Sequence, residues 1–141
     1  MYKWYNEYYM GAAHGMSGIL FILLQVKEML TEKELIELVK PSIDWMMSIC
    51  FPSSNLPAVL GDNSDRLVHW CHGAPGAIFL FSLAYKVFGD EKYLNHAKKC
   101  AEVIWNRGLL KKGYGLCHGT AGNGYGLLYL YQVRFKLLNL F

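Results

Sequence analysis

Three times along the chain the pattern His-Gly-x-x-Gly opens an apolar stretch: His14-Gly15-Met16-Ser17-Gly18, His72-Gly73-Ala74-Pro75-Gly76 and His118-Gly119-Thr120-Ala121-Gly122. The spacings, about 58 and about 46 residues, match a helical-hairpin repeat. A chain built from such units folds by stacking them, so each unit contributes one buried and one outer helix. Two glycines a turn apart at the start of a helix leave positions without side chains, where backbones approach closely.

The segments between the motifs carry the outer helices. From Tyr93, residues Ala97, Cys100, Ala101, Ile104 and Trp105 form one helical stripe, with Lys98, Lys99 and Glu102 opposite. Asp90 is the expected N-cap and Gly108 the expected stop. Thr31 to Glu34 reads as a capping box, opening a helix with Leu35, Leu38 and Val39 on its buried side. Pro41 is expected to kink or restart that helix. Residues 77–85 and 125–131 are apolar nearly all round, which predicts helices buried on most sides. Residues 55–66, with Pro57 and Gly61, read as one long surface loop. The fold class is therefore all-α, with inner and outer helix layers.

Composition narrows the function. A chain of 141 residues is one domain at most, and 53% hydrophobic content supports a real core. A net charge of +3, with scattered Lys and Arg, argues against nucleic acid as a partner. Residues 15–24 resemble the apolar part of a signal peptide, but no small-x-small cleavage site follows. The apolar runs fall short of a membrane span. The chain reads as soluble and cytosolic, so Cys50, Cys71, Cys100 and Cys117 are expected reduced, serving metal ligation or burial.

Two of the three repeats place cysteine before the histidine, Trp70-Cys71-His72-Gly73 and Leu116-Cys117-His118-Gly119, where the first has Ala13. Thiolate and imidazole at the mouths of helices suit zinc, because a helix N-terminus favours the thiolate form. A cysteine there is also often just a small buried hydrophobe. All four of Cys71, His72, Cys117 and His118 would close a structural site; three with an open position would make a catalytic one. Adjacent side chains diverge, which weighs against His72 as a ligand. Trp70 and Tyr114 fit either a cleft wall or the core, Cys50 and Cys100 read as inert, and His69 and His96 receive no role.

Trp70 to Gly76, Lys111 to Asn123 and Gly11 to Gly15 together resemble the eukaryotic lanthionine synthetase C-like (LanC-like) family, over residues 1 to about 131. The resemblance implies an arc of an (α/α) toroid of seven helical hairpins, with residues 1–132 a partial LanC-like domain and 133–141 a divergent tail. Between two and three hairpins are supplied, so a fragment of the ring is expected. By the same resemblance Cys71, Cys117 and His118 are the zinc ligands, His14 is the catalytic acid or base, and Lys112 holds glutathione. The implied chemistry is zinc-dependent addition of glutathione, the co-substrate, to dehydroalanine or dehydrobutyrine in proteins or peptides. The implied location is cytoplasmic, with peripheral membrane or nuclear association left open. Two other functions compete: a non-catalytic protein binding zinc and glutathione, and a helical-toroid glycosidase. The last needs paired carboxylates, and Asp62, Asp65, Asp90 and Glu91 read only as loop or cap residues.

Overall fold

A computed structural model describes residues 1–138, with side chains through Phe135. The elements are α1 (Met16–Gln25), a 3-10 turn (Lys27–Met29), α2 (Glu32–Glu34), a π segment (Leu35–Val39), α3 (Lys40–Ser48), α4 (Ala74–Phe88), α5 (Glu91–Arg107) and α6 (Thr120–Leu138). Among the described residues extended pairing is limited to two isolated bridges, Trp4 with Glu7 and Tyr9 with Val59.

Helices α1, α4 and α6, each opened by one His-Gly-x-x-Gly motif, lie side by side with α4 in the middle. Phe21, Phe79 and Tyr129 meet as an aromatic triad, one ring from each helix, with centroids 5.1 to 6.1 Å apart. Such ring pairs add to the free energy of burial itself. Helices α3 and α5 form the second layer. The Tyr93 hydroxyl donates to Asp44 at 2.7 Å, and Lys92 pairs with the same carboxylate at 2.9 Å, joining α5 to α3. The inner and outer layers follow the repeat, as the spacing predicts.

Local chemistry starts and stops the helices. The Thr31 hydroxyl accepts from the Glu34 N–H at 3.2 Å while the Glu34 carboxylate accepts from the Thr31 N–H at 2.8 Å, a complete capping box. Asp90 caps α5 by accepting from the Lys92 N–H at 3.0 Å. Gly89, at φ 68°, turns the chain in a left-handed conformation between α4 and α5. Pro41 stands in the first turn of α3, where the α-helix restarts after the π segment, as expected. It lacks the N–H that would continue the ordinary ladder, and a π segment immediately before Lys40 shifts the register by one residue.

Four expectations about burial need correction. Leu38 is 63% exposed because the π shift turns the buried face through Val39, Ile43 and Met46. Trp105 is 80% exposed, lying about 140° around the helix from Cys100, the centre of the buried stripe. Residues 125–131 are not buried all round: α6 seats Gly126, Leu127 and Leu130 inward and leaves Tyr125, Leu128 and Tyr131 exposed. Residues 55–66 are not simply a surface loop, since Asn55, Leu56 and Pro57 are buried. By contrast α4 is buried from Ala74 to Ala84 except at Phe79, as expected. Its Ile78, Leu80 and Phe81 each contribute roughly 2 kcal/mol by leaving water. No described helix is long and apolar enough to cross a membrane. The expected tail, 133–141, falls partly within α6, and its residues 139–141 lie outside the described residues.

Candidate metal centre

The loops ahead of α1, α4 and α6 are built alike. In each, the first glycine of the motif lies against the backbone carbonyl six residues earlier: Gly15 on Tyr9, Gly73 on Leu67, Gly119 on Gly113. The second does the same: Gly18 on Ala12, Gly76 on Trp70, Gly122 on Leu116. A Cβ at any of the six would overlap backbone atoms. The close approach that glycine permits is thus first of all between a helix start and its own preceding loop.

The folded-back loops also satisfy the orphan N–H groups of the helix starts. Met16 and Ser17 donate to Tyr9 and Met10, both at 3.0 Å, and Thr120 donates to Gly113 at 3.1 Å. At α4 a side chain takes over. The buried Asn55 accepts from the Ala74 N–H at 2.7 Å and donates to the Leu67 carbonyl and to Asp65. Gly73, at φ 122°, supplies a backbone angle that few other residues adopt.

This frame lifts Cys71, Cys117 and His118 to one spot. Their ligand atoms, two Sγ and one ring nitrogen, all lie within 4.8 Å of one another. The loops are joined directly, since the Cys71 N–H donates to the Cys117 carbonyl at 3.1 Å. Tetrahedral zinc, with bonds of about 2.0 to 2.3 Å, places its donors roughly 3.5 to 3.8 Å apart. Two thiols and an imidazole therefore fit zinc in both donor chemistry and reach. Burial, and then the Cys117 thiol beside it, push the Cys71 thiol up to about 11. A divalent cation between the two sulfurs would reverse that.

His72 does not join this cluster. Its ring turns toward His14 and Tyr9, at centroid distances of 5.7 and 5.9 Å, as divergence of adjacent side chains predicts. Its Nδ1 is buried without a hydrogen-bond partner. Burial, aided by the neighbouring His14, lowers its pKa.

His14, Cys71, Lys112, Cys117 and His118 all line one open cleft of about 720 Å³, together with Leu67, His69 and His72. No carboxylate is among these lining residues. A second, apolar cavity of about 890 Å³ also borders His14, bounded by Trp4, Trp70 and Phe79 among others. Tyr114 stands outside both and is 88% exposed.

The sequence profile of the lanthionine synthetase C-like protein family matches residues 1–134. The chain belongs to that family. Glutathione S-transferase LANCL1 of Danio rerio is 54% identical to this LanC-like chain over 133 residues, covering 94% of the chain and 33% of the relative. Among solved structures, nisin cyclase superposes with a TM-score of 0.73 at 21% identity, over 87% of the chain and 34% of the cyclase. That likeness speaks for the toroid fold. The LanC-like chain spans about a third of the length of these relatives.

Several residues in and around the LanC-like cleft escape sequence reasoning. His69 is buried in the wall, 6.4 Å ring to ring from His118, and burial followed by Lys112, His118 and His72 lowers its pKa. Asn123 is fully buried and donates to Val68 at 2.9 Å and Gly108 at 3.0 Å, bracing the two cysteine loops from within α6. Only the rarity of a buried asparagine could have signalled it or Asn55, and burial is not visible in one sequence. The N-terminal arm was also missed. Trp4 stacks on His14, with centroids 4.9 Å apart and planes at 24°.

The remaining titratable groups lie apart. Cys50 and His96 meet at 3.4 Å; burial raises the thiol to about 12 and, with Lys99, lowers the imidazole to about 4. Cys100 is fully buried and its thiol pKa is likewise raised.

Proposed function

We propose that this chain carries the zinc-binding, thiol-activating part of an enzyme that adds glutathione to dehydroalanine or dehydrobutyrine residues of proteins. The observation that carries the reading is the convergence of Cys71, Cys117 and His118 within 4.8 Å, on a cleft shared with His14 and Lys112. The relative named as a glutathione S-transferase supports the choice of thiol. The site sits in the cytoplasm in this reading.

Cys71, Cys117 and His118 would hold zinc; two thiolates and a neutral imidazole balance its charge and leave a fourth position. Zinc bound there supplies the Lewis acidity that lets a substrate thiol lose its proton near neutral pH. Lys112 draws a carboxylate of glutathione into a cleft free of competing acidic groups. The glutathione sulfur bonds to the β carbon of the acceptor, and the displaced π electrons form an enolate. His14 delivers a proton to the α carbon, which completes the thioether. Bordering both the polar cleft and the apolar cavity, His14 reaches thiol and acceptor from one place.

Metal analysis and single substitutions test the assignment. The purified chain is expected to hold about one zinc, and Cys71→Ala or Cys117→Ala to lose nearly all of it. Either variant keeping its full metal would overturn the ligand set. Mass spectrometry of a dehydroalanine peptide incubated with glutathione should show the thioether product. His14→Ala should retain zinc and slow the transfer about a hundredfold. Glutathione binding without turnover, indifferent to His14, would instead make this a non-catalytic zinc and glutathione binder.

A further inference from the structure

We infer that Trp4 is a positioning residue that holds the His14 imidazole in its working orientation. The inference rests on the reading of His14 as the proton donor. An acid or base that acts at one carbon needs its ring fixed, ordinarily by a hydrogen bond from a third group. Among the described residues no hydrogen bond holds the His14 ring, which is exposed. Its neighbours are aromatic: Trp4 stacked on one side, with Tyr9 edge-on at 6.0 Å and His72 tilted at 5.7 Å. Tyr9 and His72 belong to the loops of the frame, whereas Trp4 comes from an arm outside it.

That arm is shaped to present the indole. Trp4 and Glu7 exchange two backbone hydrogen bonds of 2.9 Å across a two-residue turn. The turn residues, Tyr5 at φ 46° and Asn6 at φ 63°, both take left-handed angles without being glycine. Left-handed angles at both central residues are what a two-residue hairpin turn requires, so the arm folds back on itself at Tyr5 and Asn6 and fixes where Trp4 leaves it. The turn is not part of the core, because Tyr5 is 79% exposed and Trp4 38% exposed. The arm is strapped to the body a few residues later, where Leu60 donates to Tyr8 at 2.9 Å and Met10 donates to Ala58 at 3.0 Å. The indole is thus held from its own side and lies flat on the imidazole.

The test compares Trp4→Leu and Trp4→Phe, each with His14 intact and in a His14→Ala background. Trp4→Leu should lower kcat about tenfold, with KM for glutathione and zinc content unchanged, and Trp4→Phe should recover most of the rate by keeping a flat ring. In the His14→Ala background Trp4→Leu should change nothing further. A loss of rate that persists without His14, or a KM that moves while kcat stays, would overturn the inference. A second readout does not depend on turnover: the His14 ring-proton resonances should shift in Trp4→Leu as the indole ring current is removed, and unmoved resonances would sink the idea. Absence of any transfer by the unsubstituted chain would count against the proposed reaction, and the resonances alone would then decide this inference.

Discussion

The two cysteine loops share a frame and differ in everything around it. Both pass under a helix start with two glycines on backbone carbonyls, and both deliver a cysteine followed by a histidine. Yet Cys71 is buried while Cys117 is exposed, and residues 111–118 are exposed throughout. The first loop is pinned from outside its own hairpin. Asn55 holds Ala74 and Leu67, while Asp65 accepts from Ser53, Asn55 and Arg107. The second relies on Thr120, on the Asn123 amide that donates to the Gly108 carbonyl at its start, and on its bond to the first loop. One proposed ligand is thus set in a wall held by side-chain hydrogen bonds, and the other two stand on an exposed loop. The difference teaches that glycine geometry builds the loop, while burial of what lies around it decides how firmly the loop stands.

If the frame is truly common, replacing its glycines should damage both loops alike. Gly76→Ala and Gly122→Ala each force a methyl group into a carbonyl and should cost about 3 kcal/mol or more in urea denaturation. Gly124→Ala, two residues further along α6, meets nothing within 4 Å and should instead stabilise by about 0.5 to 1 kcal/mol. Equal effects at Gly122 and Gly124 would break the shared-frame account.

The asymmetry of support should appear at the asparagines. Asn55→Leu strands a buried N–H and a part-buried carbonyl and should cost about 3 kcal/mol. Asn123→Leu should cost less, about 2 kcal/mol, because its own Oδ1 already lacks a partner. The reverse order would mean that the second loop, not the first, is the anchored one.

The smallest effect concerns pH. Burial alone would raise the Asp65 pKa, but hydrogen bonds from Ser53, Asn55 and Arg107 and the guanidinium charge hold it below its ordinary value. The stability this confers is present above the unfolded carboxylate value of about 3.9 and is lost as pH falls through the lower folded value. Being partly exposed, the pair contributes at most about 1 kcal/mol. Asp65→Asn should flatten the acid limb of stability between pH 5 and pH 3, seen as a smaller difference in urea midpoint at those two values.

Much of this was readable in the residues themselves. The thrice-repeated motif implied the two helix layers, the Thr31 and Asp90 caps lay where their residue types predict, and matching repeat positions brought Cys71 and Cys117 together. Contacts set by distant chain were not readable. Asn55 lies nineteen residues before the N–H it caps, and Trp4 meets His14 only through an arm with no periodic pattern. Leu38 misled because the π segment changed the helix phase, and Trp105 because it lies beyond the edge of the buried stripe centred on Cys100.

Because the support beneath each motif is backbone against hydrogen-only side chains, it makes no demand on the residue displayed just before the histidine. The chain already exploits this freedom, with alanine at position 13 and cysteine at 71 and 117. Three equivalent sockets can thus be loaded differently, two with sulfur and one without, and chemistry can be exchanged at a socket while the architecture stays as it is.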